Sequence, residues 1–157
     1  MRKTLEAISL AALVLLVWIT WRALCGPGHL SGSVPTHFDL AGRPDGWGSP
    51  AMLLLVPAVA ALLYLLPTVV RRFPSAFNYP VPVTTENQPR LQALALDMIA
   101  CLKAELICLF AWLQSLAIQA ARHPGEGLHA PFVTIPASVV LVFATIAWHI
   151  KAMRRAA

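Results

Sequence analysis

The residues best suited to chemistry lie in one short stretch between two apolar segments. His37, Asp39 and Asp45 place one imidazole and two carboxylates within nine residues. A hard or borderline cation can use such ligands. The same side chains also bond the backbone of tight turns, as Asx residues commonly do. We favour the structural role and keep a metal site formed by these three residues as the alternative.

A second group of polar or reactive residues is spaced by four, four, three and four positions, so its members share one side of a helix. The group consists of Asp97, Cys101, Glu105, Cys108 and Trp112. Such a face can hold a metal ion or carry protons. Its two thiols are two helical turns apart, however, and small buried cysteines are the commoner explanation.

Glu105 is the most informative member of this group. A carboxylate just inside a membrane-spanning segment is costly and usually faces a partner. We predict that Glu105 faces the interior of a helix bundle or a neighbouring subunit, with a carboxylate reaching back to the membrane interface as the alternative. Lys103 lies nearly opposite on the helix, and we predict that its ammonium group extends to the cytoplasmic surface.

Other catalytic signatures are missing from the sequence. The chain has no P-loop, no GxSxG, no HExxH and no CxxC motif. A serine, a histidine and an aspartate do occur in the stretch around His37, but nothing orders them as nucleophile and base. We therefore predict no catalytic residues and no cofactor, and we expect a non-enzymatic role.

Composition places these residues in a membrane protein. Of the 157 residues, 58% are hydrophobic and 12% are charged, whereas about 25% are charged in an average soluble protein. Four apolar runs match the roughly 20 residues that a helix needs to cross the hydrocarbon core. We predict a single all-α domain with four membrane-spanning helices, at about 5–24, 51–70, 104–121 and 130–150. An outer cap (25–50) and a cytoplasmic segment (71–103) connect them.

Prolines interrupt these runs without ending them. Pro57, Pro67 and Pro136 each remove one backbone N–H from a predicted helix. Neighbouring helices commonly give the freed carbonyl another donor, so we predict kinks there and not breaks. The basic start of the chain also fits a signal peptide, but no cleavage site with small residues follows, so we predict that the first helix is retained.

Charge indicates the orientation of the chain. Nine of the 12 Lys and Arg residues fall at the two termini and in the segment between the second and third runs. By the positive-inside rule, this distribution places both termini and the middle segment in the cytoplasm. The same cations attract anionic lipids. A nucleic-acid partner is not expected, because the basic residues are split among three short segments.

Local patterns refine the two main connections. Residues 43–46 (Arg-Pro-Asp-Gly) are typical of a β-turn, and Ser49 followed by Pro50 is typical of a helix start. The outer segment is therefore predicted to be a compact, ordered cap.

The segment before the third apolar run is amphipathic. Over 90–103 the apolar residues recur at helical spacing on one stripe. We predict one continuous helix that starts at Asn87 or Gln88 and runs on through the third apolar run. Small residues four apart can let a partner helix approach closely. They are Ala100 with Ala104, and Ala117 with Ala121.

Two stretches resemble a bacterial membrane family of unknown function, whose domain also begins the SdpI-type proteins that protect a cell from its own secreted toxin. The first stretch is similar to the pattern Pro-x-His-Phe-x-x-x-Gly-x-x-Asp-x-x-Gly-Ser. Its matching residues are Pro35, His37, Phe38, Gly42, Asp45, Gly48 and Ser49. The second is similar to the cytoplasmic connection of many members and includes Asn78, Pro80, Glu86 and Asn87. The resemblance implies a membrane fold in the inner membrane of a bacterium. We predict that Asp39 and Trp47 belong, with the matching residues, to a cap that binds a partner.

Two classes of function remain. The favoured class is a binding or interaction protein, either a small accessory subunit of a larger membrane complex or an SdpI-like sensor or immunity factor. Its expected partners are the lipid bilayer and other membrane proteins, or a second copy of the chain. The alternative is a metal-dependent membrane enzyme or transporter component that uses the outer cluster of His37, Asp39 and Asp45.

Overall fold

A computed structural model describes residues 1–39, 43–123 and 134–156 of the protein, and these residues form four α-helices and one small hairpin. The prediction of four helices is confirmed. They are α1 (Arg2–Cys25), α2 (Leu55–Val70, led in by a 3-10 turn at Pro50–Leu54), α3 (Gln88–Arg122) and α4 (Thr134–Arg154). The long helix α3 lies at the centre and packs against α1, α2 and α4.

Three of the described helices are long and apolar enough to cross a membrane. They are α1, the segment Pro50–Val70 and α4. Many large apolar side chains on their outer faces are exposed, among them Val14, Leu62 and Phe143. Lipid satisfies such faces and water does not, so the chain is a membrane protein. The predicted fourth span, 104–121 in α3, is not among the three.

The connection between α1 and α2 contains a two-stranded antiparallel sheet, so the all-α prediction is wrong here. Strands β1 (Val34–Phe38) and β2 (Pro44–Gly48) pair with Val34 opposite Gly48 and Pro35 opposite Trp47. Val34 is fully buried and anchors the hairpin on the helix bundle. Its cluster is formed with Ala23, Leu53 and Ile118.

The β-turn predicted over 43–46 is also wrong, because most of these residues lie in β2. Glycine is needed in this strand for close approach. A Cβ at Gly48 would lie 2.9 Å from Cγ2 of Thr36, closer than such atoms normally come. The last backbone bond between the two chain segments lies just outside the strands, where the Asp39 amide donates to the carbonyl of Arg43 at 2.9 Å.

The prolines do not break the second helix. Pro57 has no N–H to give to the carbonyl of Leu53 four residues earlier. The side-chain amide of Gln114 on α3 donates to that carbonyl instead, at 2.8 Å. A second donation, to the hydroxyl of Thr20 at 2.9 Å, ties α1 into the same bond network. The predicted compensation by a neighbouring helix is therefore confirmed for Pro57.

The small residues of α3 serve packing within the chain. Ala100 and Ala104 are buried, and Ala117 and Ala121 pack against the cluster around Val34. These residues therefore let the helices of this chain approach closely, and the approach of a separate partner helix stays a prediction.

Candidate polar sites at the helix interfaces

The cap carries two of the three candidate metal ligands side by side. Nδ1 of His37 lies 2.5 Å from Oδ1 of Asp45, across the two strands. Asp39 is directed elsewhere: its Oδ1 accepts the backbone N–H of Arg43 at 2.8 Å. Within the described residues no group of three His, Cys, Asp or Glu side chains can hold a metal ion. The three side chains therefore serve the strand pair and the contact between Asp39 and Arg43 at its end.

The remaining cap residues differ in how far they are buried. Pro35 is buried and Trp47, opposite it, is about half exposed. Phe38 and Pro35 line a cavity of about 280 Å³ between the hairpin and the ends of α2 and α3. Gly42, which the family pattern also included, lies outside the described residues.

Asn87 organises the connection before α3. Its Oδ1 accepts the N–H of Thr84 at 2.8 Å, and its own N–H donates to the Thr84 hydroxyl at 3.2 Å. Its side-chain amide donates to the carbonyl of Pro82 at 3.1 Å. Asn87 precedes the first helical residue, as predicted. Its side chain bonds to Thr84 and Pro82 in the preceding loop and does not cap the helix. Glu86 is exposed beside it.

Asn78 and Pro80 border a cavity of about 430 Å³, together with Tyr79, Met98 and Met153. The Tyr79 hydroxyl donates to the carbonyl of Pro74 at 3.2 Å. Burial raises the pKa of the Tyr79 phenol, so it remains a neutral donor at physiological pH. The two residues of the second motif therefore lie beside an apolar hollow.

Lys103 forms a buried polar junction between three helices. The residue is only 2% exposed, so the predicted extension to the membrane surface is wrong. Its Nζ lies 2.6 Å from Oε2 of Glu6 on α1 and 3.0 Å from the Thr68 hydroxyl on α2. It also lies 4.5 Å from the ring centre of Tyr64. The other Glu6 oxygen accepts from Arg71 at 2.7 Å.

Asp97 and Glu105 face different neighbours, although the spacing predicted one shared face. Asp97 forms an ion pair with Arg2 of α1 at 2.6 Å. Glu105 instead accepts the Thr145 hydroxyl of α4 at 2.6 Å. Eight residues amount to about 80° beyond two full turns of an α-helix, and this drift separates the two carboxylates.

Two buried polar atoms at the α3–α4 interface have no hydrogen-bond partner in the part of the chain that the structure describes. They are Oε2 of Glu105 and Nε2 of His149. Nδ1 of His149 lies 2.8 Å from the Thr145 carbonyl. A carbonyl only accepts, so Nδ1 carries hydrogen. The interface thus holds two buried polar atoms whose hydrogen bonding is unsatisfied.

A groove runs along the same interface. Its volume is about 270 Å³, and its walls are almost entirely apolar. Glu105 lies among the lining residues. The others are Cys108, Leu109, Trp112, Thr134, Ser138, Leu141 and Val142. The groove therefore combines apolar walls with one buried carboxylate.

Sequence reasoning singled out Glu105 and Lys103 but missed their partners. Glu6 was not singled out, and it lies 97 residues from Lys103. His149 and Gln114 were not singled out. A polar residue inside an apolar run was the available signal for all three, because burial in a membrane requires a partner.

The first part of the chain matches a known family model. Residues 8–61 match a domain of unknown function, DUF1648. This span covers most of α1, the hairpin and the start of α2, so the predicted similarity to a domain of unknown function is confirmed for that part. The second stretch, with Asn78 and Asn87, lies outside it.

Similarity to other proteins is limited. An uncharacterized protein of Archaeoglobus fulgidus is 35% identical over 86 residues, which cover 50% of this chain and 45% of that protein. The matched part of the chain thus spans less than half the length of that relative. No solved structure matches the chain.

Proposed function

We propose that this protein is an interaction protein of a cytoplasmic membrane, a small accessory subunit that binds a transmembrane helix of another membrane protein in the α3–α4 groove. The observation that carries the proposal is the buried Oε2 of Glu105, which has no hydrogen-bond partner among the described residues. Leaving a buried acceptor unpaired costs about 1–3 kcal/mol. A donor on a bound helix removes that cost.

The surroundings of Glu105 favour a helix as the bound group. The groove lies between two helices, is lined mainly by apolar side chains and has room for a few side chains, not for a large substrate. Among the three span-forming helices, α4 is the least buried. Binding of a partner helix would cover its exposed side.

An SdpI-like immunity factor and an accessory subunit would bind their partners through different surfaces of this protein. An SdpI-like immunity factor that met a secreted toxin would use the hairpin, where His37 and Asp45 satisfy each other. An accessory subunit would use the groove, where Glu105 lacks a second partner. We favour the accessory subunit for this reason. A metal-dependent enzyme or transporter would need a third ligand beside the pair in the cap.

The proposed topology has four passes and both termini in the cytoplasm. The ion pairs of Glu6 and Asp97 join the start of α1 to the end of α2 and the first half of α3. Arg2, Arg71 and Lys103 therefore lie at one end of the bundle. The positive-inside rule favours the cytoplasm for that end, and α3 must then cross the membrane to continue beyond Lys103.

Replacing Glu105 tests the proposed function. We expect Glu105→Leu to lower the amount of the bound membrane protein about tenfold, because a charge-assisted hydrogen bond contributes about 1.5–3 kcal/mol. Glu105→Gln, which keeps an acceptor oxygen, should lose less. Native mass spectrometry of complexes purified from native membranes in a mild detergent measures both.

Glu86→Gln is the matched control, because it removes the same charge from an exposed position outside the groove. It should leave the complex intact. Equal amounts of complex for the natural protein and Glu105→Leu would contradict the proposal. A complex of twice the mass of the chain would identify a second copy as the occupant and would contradict the accessory role.

A further inference from the structure

A separate cavity lies at the end of the bundle where α1 begins and α2 ends. Its volume is about 290 Å³. Three arginines, one carboxylate and a short apolar wall on α3 line it. These residues are Arg2, Arg71, Arg72, Glu6, Leu96, Ile99 and Ala100. None of these residues lines the α3–α4 groove, so a ligand site in this cavity is independent of the proposed function.

Positive charge exceeds negative charge around this cavity. The ion pairs beside it contain the carboxylates of Glu6 and Asp97 and the cations Arg2, Arg71 and Lys103. Arg72 adds a fourth cation. Four cations against two carboxylates leave two positive charges without a matching anion. An anionic group is therefore the ligand that the cavity favours.

The arginines keep donors available for such an anion. A guanidinium group carries five N–H donors. Arg2 uses Nε for Asp97, and Arg71 uses one terminal nitrogen for Glu6. Their side chains are 47% and 42% exposed. No side-chain hydrogen bond of Arg72 is found in the described part of the chain. Guanidinium forks of this kind match the oxygens of a phosphate.

The apolar wall indicates where the phosphate comes from. Leu96 and Ile99 lie on the same cavity as the guanidinium groups. A free phosphate ion makes no favourable contact with an apolar wall, whereas an acyl chain of a phospholipid packs against it. Basic pockets between helices at a membrane surface commonly bind the head groups of anionic lipids. We propose that this cavity binds the phosphate of an anionic phospholipid, with an acyl chain lying along Leu96 and Ile99.

Arg72→Gln is the variant that tests the lipid site, because Arg72 makes no side-chain bond within the described residues and its loss should leave the fold intact. The full chain, in a neutral detergent, is titrated with phosphatidylglycerol, and lipid-bound protein is counted by native mass spectrometry. We expect about fivefold weaker binding for Arg72→Gln, which corresponds to about 1 kcal/mol per basic residue near a membrane surface.

Arg154→Gln is the matched control, with the same charge change at an exposed position outside the cavity. It should bind phosphatidylglycerol as the natural protein does. Phosphatidylcholine should bind at least fivefold more weakly than phosphatidylglycerol. Equal weakening by both variants would show general surface attraction and overturn the proposal. Competition by inorganic phosphate at the same concentration as the lipid would overturn the assignment to a lipid.

Discussion

Replacing Lys103 by Met is expected to lower the free energy of unfolding by about 3 kcal/mol, because removing one member of a buried ion pair leaves the other charge uncompensated. Lys103 is the cation that joins Glu6 of α1 to Thr68 of α2, at 2.6 and 3.0 Å. Glu6 keeps its contact with Arg71, which holds the loss at the lower end of the range for such pairs. Reversible denaturation in mixed detergent micelles measures the change.

Two further variants separate the ion pair from general charge effects. Lys151→Met removes the same charge from an exposed position on α4, and it should change stability by less than about 0.5 kcal/mol. The double variant Glu6→Gln with Lys103→Met should lose less than the two single losses added together, because it leaves no buried charge unpaired: Arg71, which loses Glu6, is 42% exposed. Strict additivity would contradict the ion-pair account.

Gln114→Leu is expected to lower the free energy of unfolding by about 1–2 kcal/mol, since it leaves a buried carbonyl without a donor. Gln114 is 1% exposed and donates to the Leu53 carbonyl, which Pro57 cannot serve. The same side chain also holds Thr20 of α1. The loss therefore reflects the weakened connection between three helices.

Gln119→Leu is the control for this prediction. Gln119 lies on the same helix but is exposed, so its replacement should not lower stability. A Gln114→Leu variant as stable as the natural protein would show that the Leu53 carbonyl finds another donor. Pro57→Ala in the Gln114→Leu background should restore part of the loss, because alanine returns the missing N–H.

The helices follow directly from apolar runs, but the hairpin does not. Length and hydrophobicity predict α1, α2 and α4 because lipid requires long apolar segments whose backbone groups are satisfied internally. Gly46 suggested a turn over 43–46, since glycine is common in turns, and Gly48 suggested no strand contact. In the structure their small size allows the two strands to approach, and this requirement depends on contacts with Thr36 and His37 that local sequence does not specify.

Polar residues inside helices were recognised in part, and their partners were not. The spacing of Glu105 and Lys103 showed that they lie on different sides of α3, which the contacts with Thr145 and Glu6 agree with. The identity of a partner on another helix depends on helix rotation and depth, and the sequence pattern of one helix contains neither. Glu6 could have been proposed only by matching its depth to that of Lys103.

Crosslinking from the α3–α4 groove shows whether a helix of another membrane protein binds there. Cys108 is exposed and lines the groove, so a variant with Cys25→Ser and Cys101→Ser keeps a single thiol at the site. A thiol-reactive photocrosslinker is attached to Cys108 in native membranes. The control carries Cys108→Ser and Val140→Cys, which moves the thiol to an exposed position on α4 outside the groove.

We expect one covalent adduct of defined mass between Cys108 and another membrane protein, and no such adduct from the Val140→Cys control. Adding Glu105→Leu should reduce that adduct about tenfold, in line with the lost hydrogen bond. Fully labelled Cys108 that forms no protein adduct, or forms the same adducts as the control, would contradict the claim that the groove binds a partner helix.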